Sequence, residues 1–240
     1  MRDKQVTPTR GSPNVVSDDD EGFKRSKRLI NVGKESGVDQ GFLSKQYRDA
    51  VINVTNALDW DSVESAVSAL VELRHRDGRL FILGLGGSAG NAGHMVNDIR
   101  KLTGIEAYAP TDNVSELTAR INDDGWGKAF SGWLKVSRLG PNDAVFVLSV
   151  GGGDLERGVS IELVEAINYA KIVGATVLGI VGRDGGHTAK VGDHVIIIPT
   201  VDAGLVTPIS EAFQAVVWHG MVTHPDLAAS SAHWESLEKQ

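Results

Sequence analysis

The chain has no cysteine among its 240 residues. That excludes a disulfide framework, a cysteine nucleophile and any thiolate metal site. A transition metal would have to be held by His, Asp or Glu. No apolar run approaches the ~20 residues needed to cross a bilayer, so no membrane partner is expected. The opening residues hold no signal-peptide apolar core, and the expected location is cytoplasmic. A surplus of positive charge is also missing. Lys and Arg number 24 against 31 Asp and Glu, a net charge of -7. A nucleic-acid binder normally shows a basic face, so none is expected as a partner. A small anionic ligand stays open, because an anion site is local.

What is present is a globular composition, 41% hydrophobic, with 28 glycines that concentrate in two clusters. The length suits one α/β domain. Residues 1–38 are polar, mixed in charge and without apolar period, and read as a flexible N-terminal tail; their basic run at 24–28 reads as solvated. Residues 39–240 read as the folded domain. Leu43, Tyr47, Val51, Val54 and Leu58 recur at helical spacing. Asp61 with Glu64 resembles a capping box, ahead of a second helix striped by Val63, Ala66, Val67, Leu70 and Leu73. Two helices therefore precede the first strand.

Beyond them, strands alternate with helices. The short apolar runs 79–85, 144–149, 176–181 and 194–198 read as strands, with a weak one at 107–109. Helices are expected at 88–102, 114–121, 126–136, 160–173 and 208–222, the last with Pro in its first turn, where its missing N–H costs nothing. Continuous apolar strands separated by helices mean a parallel sheet covered on both faces. The expected fold class is α/β, a doubly wound parallel sheet flanked by helices, with ligands at the carboxyl ends of the strands.

Two loops at that edge carry the chemistry. The first strand runs into Gly84-Leu85-Gly86-Gly87-Ser88-Ala89-Gly90. A Gly-rich turn into a helix lets backbone N–H groups approach an anion, and the helix N-terminus adds about half a positive charge. The same stretch is a loose dinucleotide fingerprint, with Asp112 as a ribose candidate, or a plain tight turn. The run at 144–149 ends in Ser149-Val150-Gly151-Gly152-Gly153-Asp154. Ser160, at the next helix start, is either a further donor or only an N-cap. Two loops, each with serine, suit one compact phosphate better than a long dinucleotide.

His94 and Asp98 lie four apart, on one helix face. Glu211 and His219 lie on the last helix. His and carboxylate are zinc-ligand types when cysteine is absent. Eight helical residues rise about 12 Å, so one metal does not easily reach both Glu211 and His219 of a single regular helix. Either that helix is broken or the two serve sites in different subunits.

The stretch 81–219 resembles the sugar isomerase (SIS) domain, and within it the sedoheptulose 7-phosphate (phosphoheptose) isomerases. That group reads G-N-G-G-S, five residues, then H-x-x-x-E; this chain reads Gly84-Leu85-Gly86-Gly87-Ser88, five residues, then His94 to Asp98. Thr111-Asp112, Asn122-Asp123-Asp124-Gly125, Ser149-Val150-Gly151-Gly152, Gly182-Arg183-Asp184-Gly185-Gly186 and the spacing of eight from Glu211 to His219 follow the group's later motifs in order. The resemblance implies a flavodoxin-like three-layer fold and a homotetramer with active sites between subunits. It implies a zinc, or another divalent ion, one per subunit, on His94, Asp98, Glu211 and His219, with Asp98 and His219 as acid and base. It implies substrate contacts from Gly86, Gly87, Ser88, Thr111, Asp112, Asn122, Asp123, Ser149, Gly151, Gly152, Gly153 and Ser160.

The chain departs from the group where Leu85 replaces Asn, Asp98 replaces Glu and Glu211 replaces Gln. Val150 and Gly151 replace hydroxyl residues in a longer loop. The expected activity is aldose–ketose isomerisation of a phosphosugar, most closely sedoheptulose 7-phosphate to a glycero-manno-heptose 7-phosphate for envelope or capsule polysaccharide. The competing expectations are a non-catalytic sugar-phosphate regulator or an adaptor of the kind that binds a replication initiator. The Asp123-Asp124 pair either orients a substrate hydroxyl or caps the next helix.

Overall fold

The computed structural model describes residues 40–230, with side chains from Ser44 onward. The expected tail at 1–38 and its basic run lie outside the described residues. The chain divides into two compact units, Met1–Gln46 and Tyr47–Gln240. Of the first, only the opening turns of helix α1 (Gln40–Ala57) are described. The second unit holds everything that follows.

Helix α2 (Trp60–His75) leads into strand β1 (Leu80–Gly84), helix α3 (Gly87–Asp98) and a two-residue strand β2 (Ala107–Tyr108). Helices α4 (Val114–Asp124) and α5 (Ala129–Val136) precede β3 (Ala144–Ser149). Then come α6 (Ile161–Ile172), β4 (Thr176–Val181), α7 (Gly186–Val191), β5 (His194–Ile197) and α8 (Val206–Val222). The strands form one sheet in the order β2-β1-β3-β4-β5, every pair parallel. This is the doubly wound, flavodoxin-like order, whose switch point lies between β1 and β3.

The two faces follow from strand alternation. Leu80, Ile82, Phe146 and Leu148 pack against α1, α2, α3 and α8. Phe81, Leu83, Val145 and Val147 pack against α5 and α6. All six residues of β3 are buried, which is why the strand is apolar without interruption.

Three local expectations shift. The cap of α2 is Asp59, not Asp61: its carboxylate accepts from the backbone N–H of Asp61 and Ser62 at 3.1 and 3.4 Å. Asp61 falls in the first turn, where the helix dipole favours an acid. The helix expected at 88–102 stops being α-helical after Asp98 and widens into a π-helical turn, Ile99–Thr103, ended by Gly104. A short helix, α7, occupies a stretch too brief to show a period.

Two contacts fix the edges of the sheet. At the amino end, Asp143 accepts from the Arg79 backbone N–H (3.0 Å), its guanidinium (2.8 Å) and the Gly140 N–H (3.0 Å). Arg79 also donates to the Ser137 and Arg138 carbonyls, closing α5 onto β1. At the carboxyl end, the loop after β3 crosses the turn after β4. The N–H groups of His187 and Thr188 donate to Gly153 O and Gly152 O at 2.8 and 2.9 Å, and Thr188 Oγ1 donates to Gly152 O. Gly152 has φ +69, and a Cβ there would overlap the Gly185 carbonyl.

Burial alone would raise the Asp143 carboxyl, but the hydrogen bonds from the Arg79 side chain and backbone and from Gly140 N–H outweigh it and hold it below the ordinary value. A depressed carboxyl stabilises the fold above its unfolded-state pKa, and that stability is lost as pH falls through the folded value. Asp143→Ala leaves Arg79 without its partner and is expected to cost about 3 kcal/mol in urea unfolding at pH 7, with the deficit shrinking in acid. A variant as stable as the parent at pH 7 would contradict this account. Gly152→Ala faces both the left-handed backbone cost of about 1–2 kcal/mol and the overlap with Gly185. It is expected to lower the melting temperature and raise KM for any ligand of that loop.

Candidate functional site

Helices α3 and α8 lie side by side and are joined through buried amides. Gln214 is fully buried; its Nε2 donates to Ser88 Oγ at 3.0 Å and its Oε1 accepts from Asn91 Nδ2 at 2.9 Å. Asn91 also donates to the Glu211 carbonyl. This network fixes the register of the two helices. It also answers the expectation for Ser88: the side chain is 1% exposed and joins helix to helix, rather than facing a ligand.

That register brings His94, Asp98 and His219 together. Asp98 Oδ2 lies 3.6 Å from His94 Nε2 and 3.7 Å from His219 Nε2, and the three donor atoms are all within 4.8 Å of one another. Such distances exceed a good N–H···O bond. They approach the ~3.3–3.6 Å that separates neighbouring ligand atoms around an ion bound at about 2.0–2.2 Å. His219 Nδ1 lies 2.7 Å from the Ala215 carbonyl. A carbonyl only accepts, so Nδ1 carries the hydrogen and Nε2 keeps its lone pair toward Asp98. Asn97 Nδ2 donates to Asp98 Oδ1 at 2.8 Å, holding the carboxylate from its other side. The donor set therefore fits a divalent ion with three protein ligands and one open position.

Behind this group lies Trp218. Its ring stacks on His219 with centroids 3.6 Å apart and 28° between planes, and meets His94 edge-on at 4.8 Å. It is fully buried, and its Nε1 is a buried donor without a partner. Such a group costs about 1–3 kcal/mol.

Glu211, expected as a fourth ligand, is placed elsewhere. Its carboxylate lies on Gly87, where a Cβ would overlap it. Within one chain, then, three of the four ligand candidates converge and the fourth sits against the first Gly-rich loop. A carboxylate there opposes an anion at Gly86 and Gly87.

The second loop is shaped by Ser149. Its Oγ accepts from the N–H groups of Gly151 and Gly152 at 3.3 and 3.0 Å, so these two amides, expected to meet the ligand, are committed to the turn. The longer segment beyond it is a small hairpin: Asp154 and Val159 exchange backbone bonds of 2.9 Å. Ser160 follows in a left-handed conformation, φ 51, and makes no capping bond.

Beside this loop opens a cavity of about 810 Å³, walled by Gly151, Gly153, the hairpin, Arg183, Lys190 and the first turn of α8 at Thr207 and Pro208. Arg157 on the hairpin approaches Asp154 at 3.6 Å. The Asp154 carboxyl is held below its ordinary value first by the Arg157 backbone N–H and also by the charges of Arg157 and Lys190. Burial, reinforced by Lys190, pushes the nearby His187 imidazole down. At the start of α6, burial raises the Glu162 carboxyl.

The remaining expected residues stand apart from the cavity lining. Asp112 Oδ2 accepts from the Ala109 N–H at 2.9 Å and closes a turn. Thr111 lies in the same turn, and Asn122 donates to exposed Asp123. Arg183, Lys190, Arg157 and Thr207 were missed as ligand candidates. One signal was readable: Arg183 lies inside a glycine-flanked turn, and it adopts φ +55, a strained state that clusters at functional sites.

No family model matches the chain. Individual relatives do. A Thermoplasma volcanium protein described as "Probable phosphoheptose isomerase" is 30% identical over 176 residues, 71% of this chain and 85% of its own. The phosphoheptose isomerase of Trichlorobacter lovleyi is 31% identical over 170 residues, 68% of this chain and 83% of its own. The solved phosphoheptose isomerase of Neisseria gonorrhoeae superposes with a TM-score of 0.65 at 23% identity, over 76% of this chain and 96% of that one; it supports the fold. With its SIS-type parallel sheet and these relatives, the chain belongs to the phosphoheptose isomerase family of sugar-phosphate isomerases.

Proposed function

We propose that this isomerase interconverts sedoheptulose 7-phosphate and a glycero-manno-heptose 7-phosphate, in a homotetrameric, cytoplasmic enzyme that supplies heptose for surface polysaccharide. The observation that carries the reading is the pairing of a cationic cavity at the second Gly-rich loop with the His94, Asp98 and His219 group. Arg183 and Lys190 are the natural holders of the phosphate, since Glu211 makes the first loop anionic. The Ser149 O–H and the half-buried Ser160 are left to add donors.

From Thr207, in the cavity wall, to His219 the helix rises about 18 Å. That is longer than one heptose phosphate, so the cavity of one subunit is served by the His94, Asp98 and His219 group of another. The span agrees with sites shared between subunits; the homotetramer itself is what the resemblance to the phosphoheptose isomerases implies.

Aldose–ketose isomerisation moves a proton between C1 and C2 through a cis-enediol and needs a base at the carbon and an acid at the oxygens. His94 Nε2, Asp98 Oδ2 and His219 Nε2 would hold the ion, zinc or another divalent metal. When bound it polarises the carbonyl and the neighbouring hydroxyl. His219 has one free nitrogen, so it either ligates or moves a proton. While it ligates, Asp98 Oδ1, turned toward Asn97, is the oxygen left to take the C–H proton. With no ion held, His219 Nε2 and Asp98 form the acid–base pair. Binding the distant phosphate holds the reacting carbons in place.

The direct test is incubation with sedoheptulose 7-phosphate and shorter ketose phosphates, with the aldose followed by NMR. Turnover of the heptose and a drop of about 10²–10⁴-fold in His219→Ala are expected, with the circular dichroism spectrum unchanged. Near-normal turnover by that variant would remove the assignment. Sharing between subunits has its own check. Arg183→Ala/Lys190→Ala and His219→Ala, each inactive alone, are expected to regain activity when unfolded and refolded together. Mixtures as inactive as the separate variants would place each complete site within one chain.

A further inference from the structure

The fully buried indole of Trp218 touches two of the three candidate ligands at once. Its face covers His219, at 3.6 Å between centroids and 28° between planes; its edge meets His94, at 4.8 Å and 73°. The two imidazoles stand nearly perpendicular to each other, 5.2 Å apart. We infer that Trp218 is a positioning residue for a divalent cation: one rigid ring sets the planes of both imidazoles, so that their Nε2 atoms converge beside Asp98 Oδ2 before any ion arrives.

Two observations support this over plain core filling. The first is what holds each ring. His219 is fixed on one edge by the Ala215 carbonyl, and that bond leaves rotation about its own axis free; among the described residues the stacked indole is the ring that lies against its face. His94 has no hydrogen bond from its Nδ1 among the described residues, and its side chain is half exposed. The near-perpendicular indole gives it lateral support.

The second is the unpartnered Nε1–H. A phenylalanine would fill apolar space without burying a donor, and buried donors are rarely left unpaired. The larger ring spans both histidines, which a single six-membered ring does less well. Groups that orient metal ligands typically change affinity 10–100-fold when removed.

The inference rests on the metal site proposed above, and the experiment separates the two. The full-length protein is stripped of metal and titrated with Zn²⁺ and with Co²⁺ against a competing chelator, as wild type, Trp218→Phe and Trp218→Leu. Thermal melts check the fold of each. Wild type is expected to bind one ion per chain, Trp218→Leu at least 10-fold more weakly, and Trp218→Phe in between, since it keeps stacking on His219 but loses the edge contact to His94.

Indole emission is read in the same titration. Trp218 stacks on a ligand, so ion binding is expected to change the emission of wild type and to leave that of Trp218→Phe nearly unchanged. This readout stands even where Trp218→Leu fails to fold. A wild type that binds no ion overturns the metal site and this role with it. A wild type that binds, with Trp218→Leu folded and binding equally well, overturns the positioning role alone. So does an emission change that persists in Trp218→Phe.

Discussion

The buried join between α3 and α8 is the constraint on which the site depends. Gln214 and Ser88 satisfy each other out of contact with solvent, and half-buried Asn91 completes the join. A one-residue slip of either helix would leave buried amide groups unpaired, at a cost comparable to a large share of a domain's stability. Because the slip is forbidden, Glu211 must face Gly87 and His219 must face Asp98. The placement of His94, Asp98 and His219 is thus set from outside their own group, by a join in which the Ser88 hydroxyl is bonded to Gln214.

Charge is sorted along the sheet's carboxyl edge. The first loop carries the Glu211 carboxylate. The cavity at the second loop carries Arg157, Arg183 and Lys190 against Asp154 and Asp184. A chain with a net charge of -7 thus keeps one locally cationic recess. Overall charge says nothing of this recess, because the fields of separate charges are screened within about 8–10 Å.

The fold was largely legible in the sequence. The runs at 144–149 and 176–181 are strands at the expected bounds, since apolar continuity is the direct mark of a strand covered on both sides. The order of loops and helices followed. What stayed hidden depends on three-dimensional commitment. The donor groups of Gly151 and Gly152 look available in a string of letters, yet the Ser149 hydroxyl takes both. Asp112 looks free and is spent on a turn. The i, i+4 pair of His94 and Asp98 was readable from helical period alone, whereas its approach to His219, some 120 residues later, needed the helix packing. Arg183 carries no mark in the sequence beyond the glycines around it, and its place in the cavity wall comes from the fold.

The hairpin between Asp154 and Val159 has a consequence for how this branch can change. It is closed by two main-chain bonds between its own ends and exposes Leu155 and Val159 to solvent, while the strand and helix on either side are locked in the interior. Lengthening such a segment is thermodynamically cheap, since closing a loop grows costlier only with the logarithm of its length. The rim that carries Arg157 can therefore be rewritten in evolution or in the laboratory without reopening the interior.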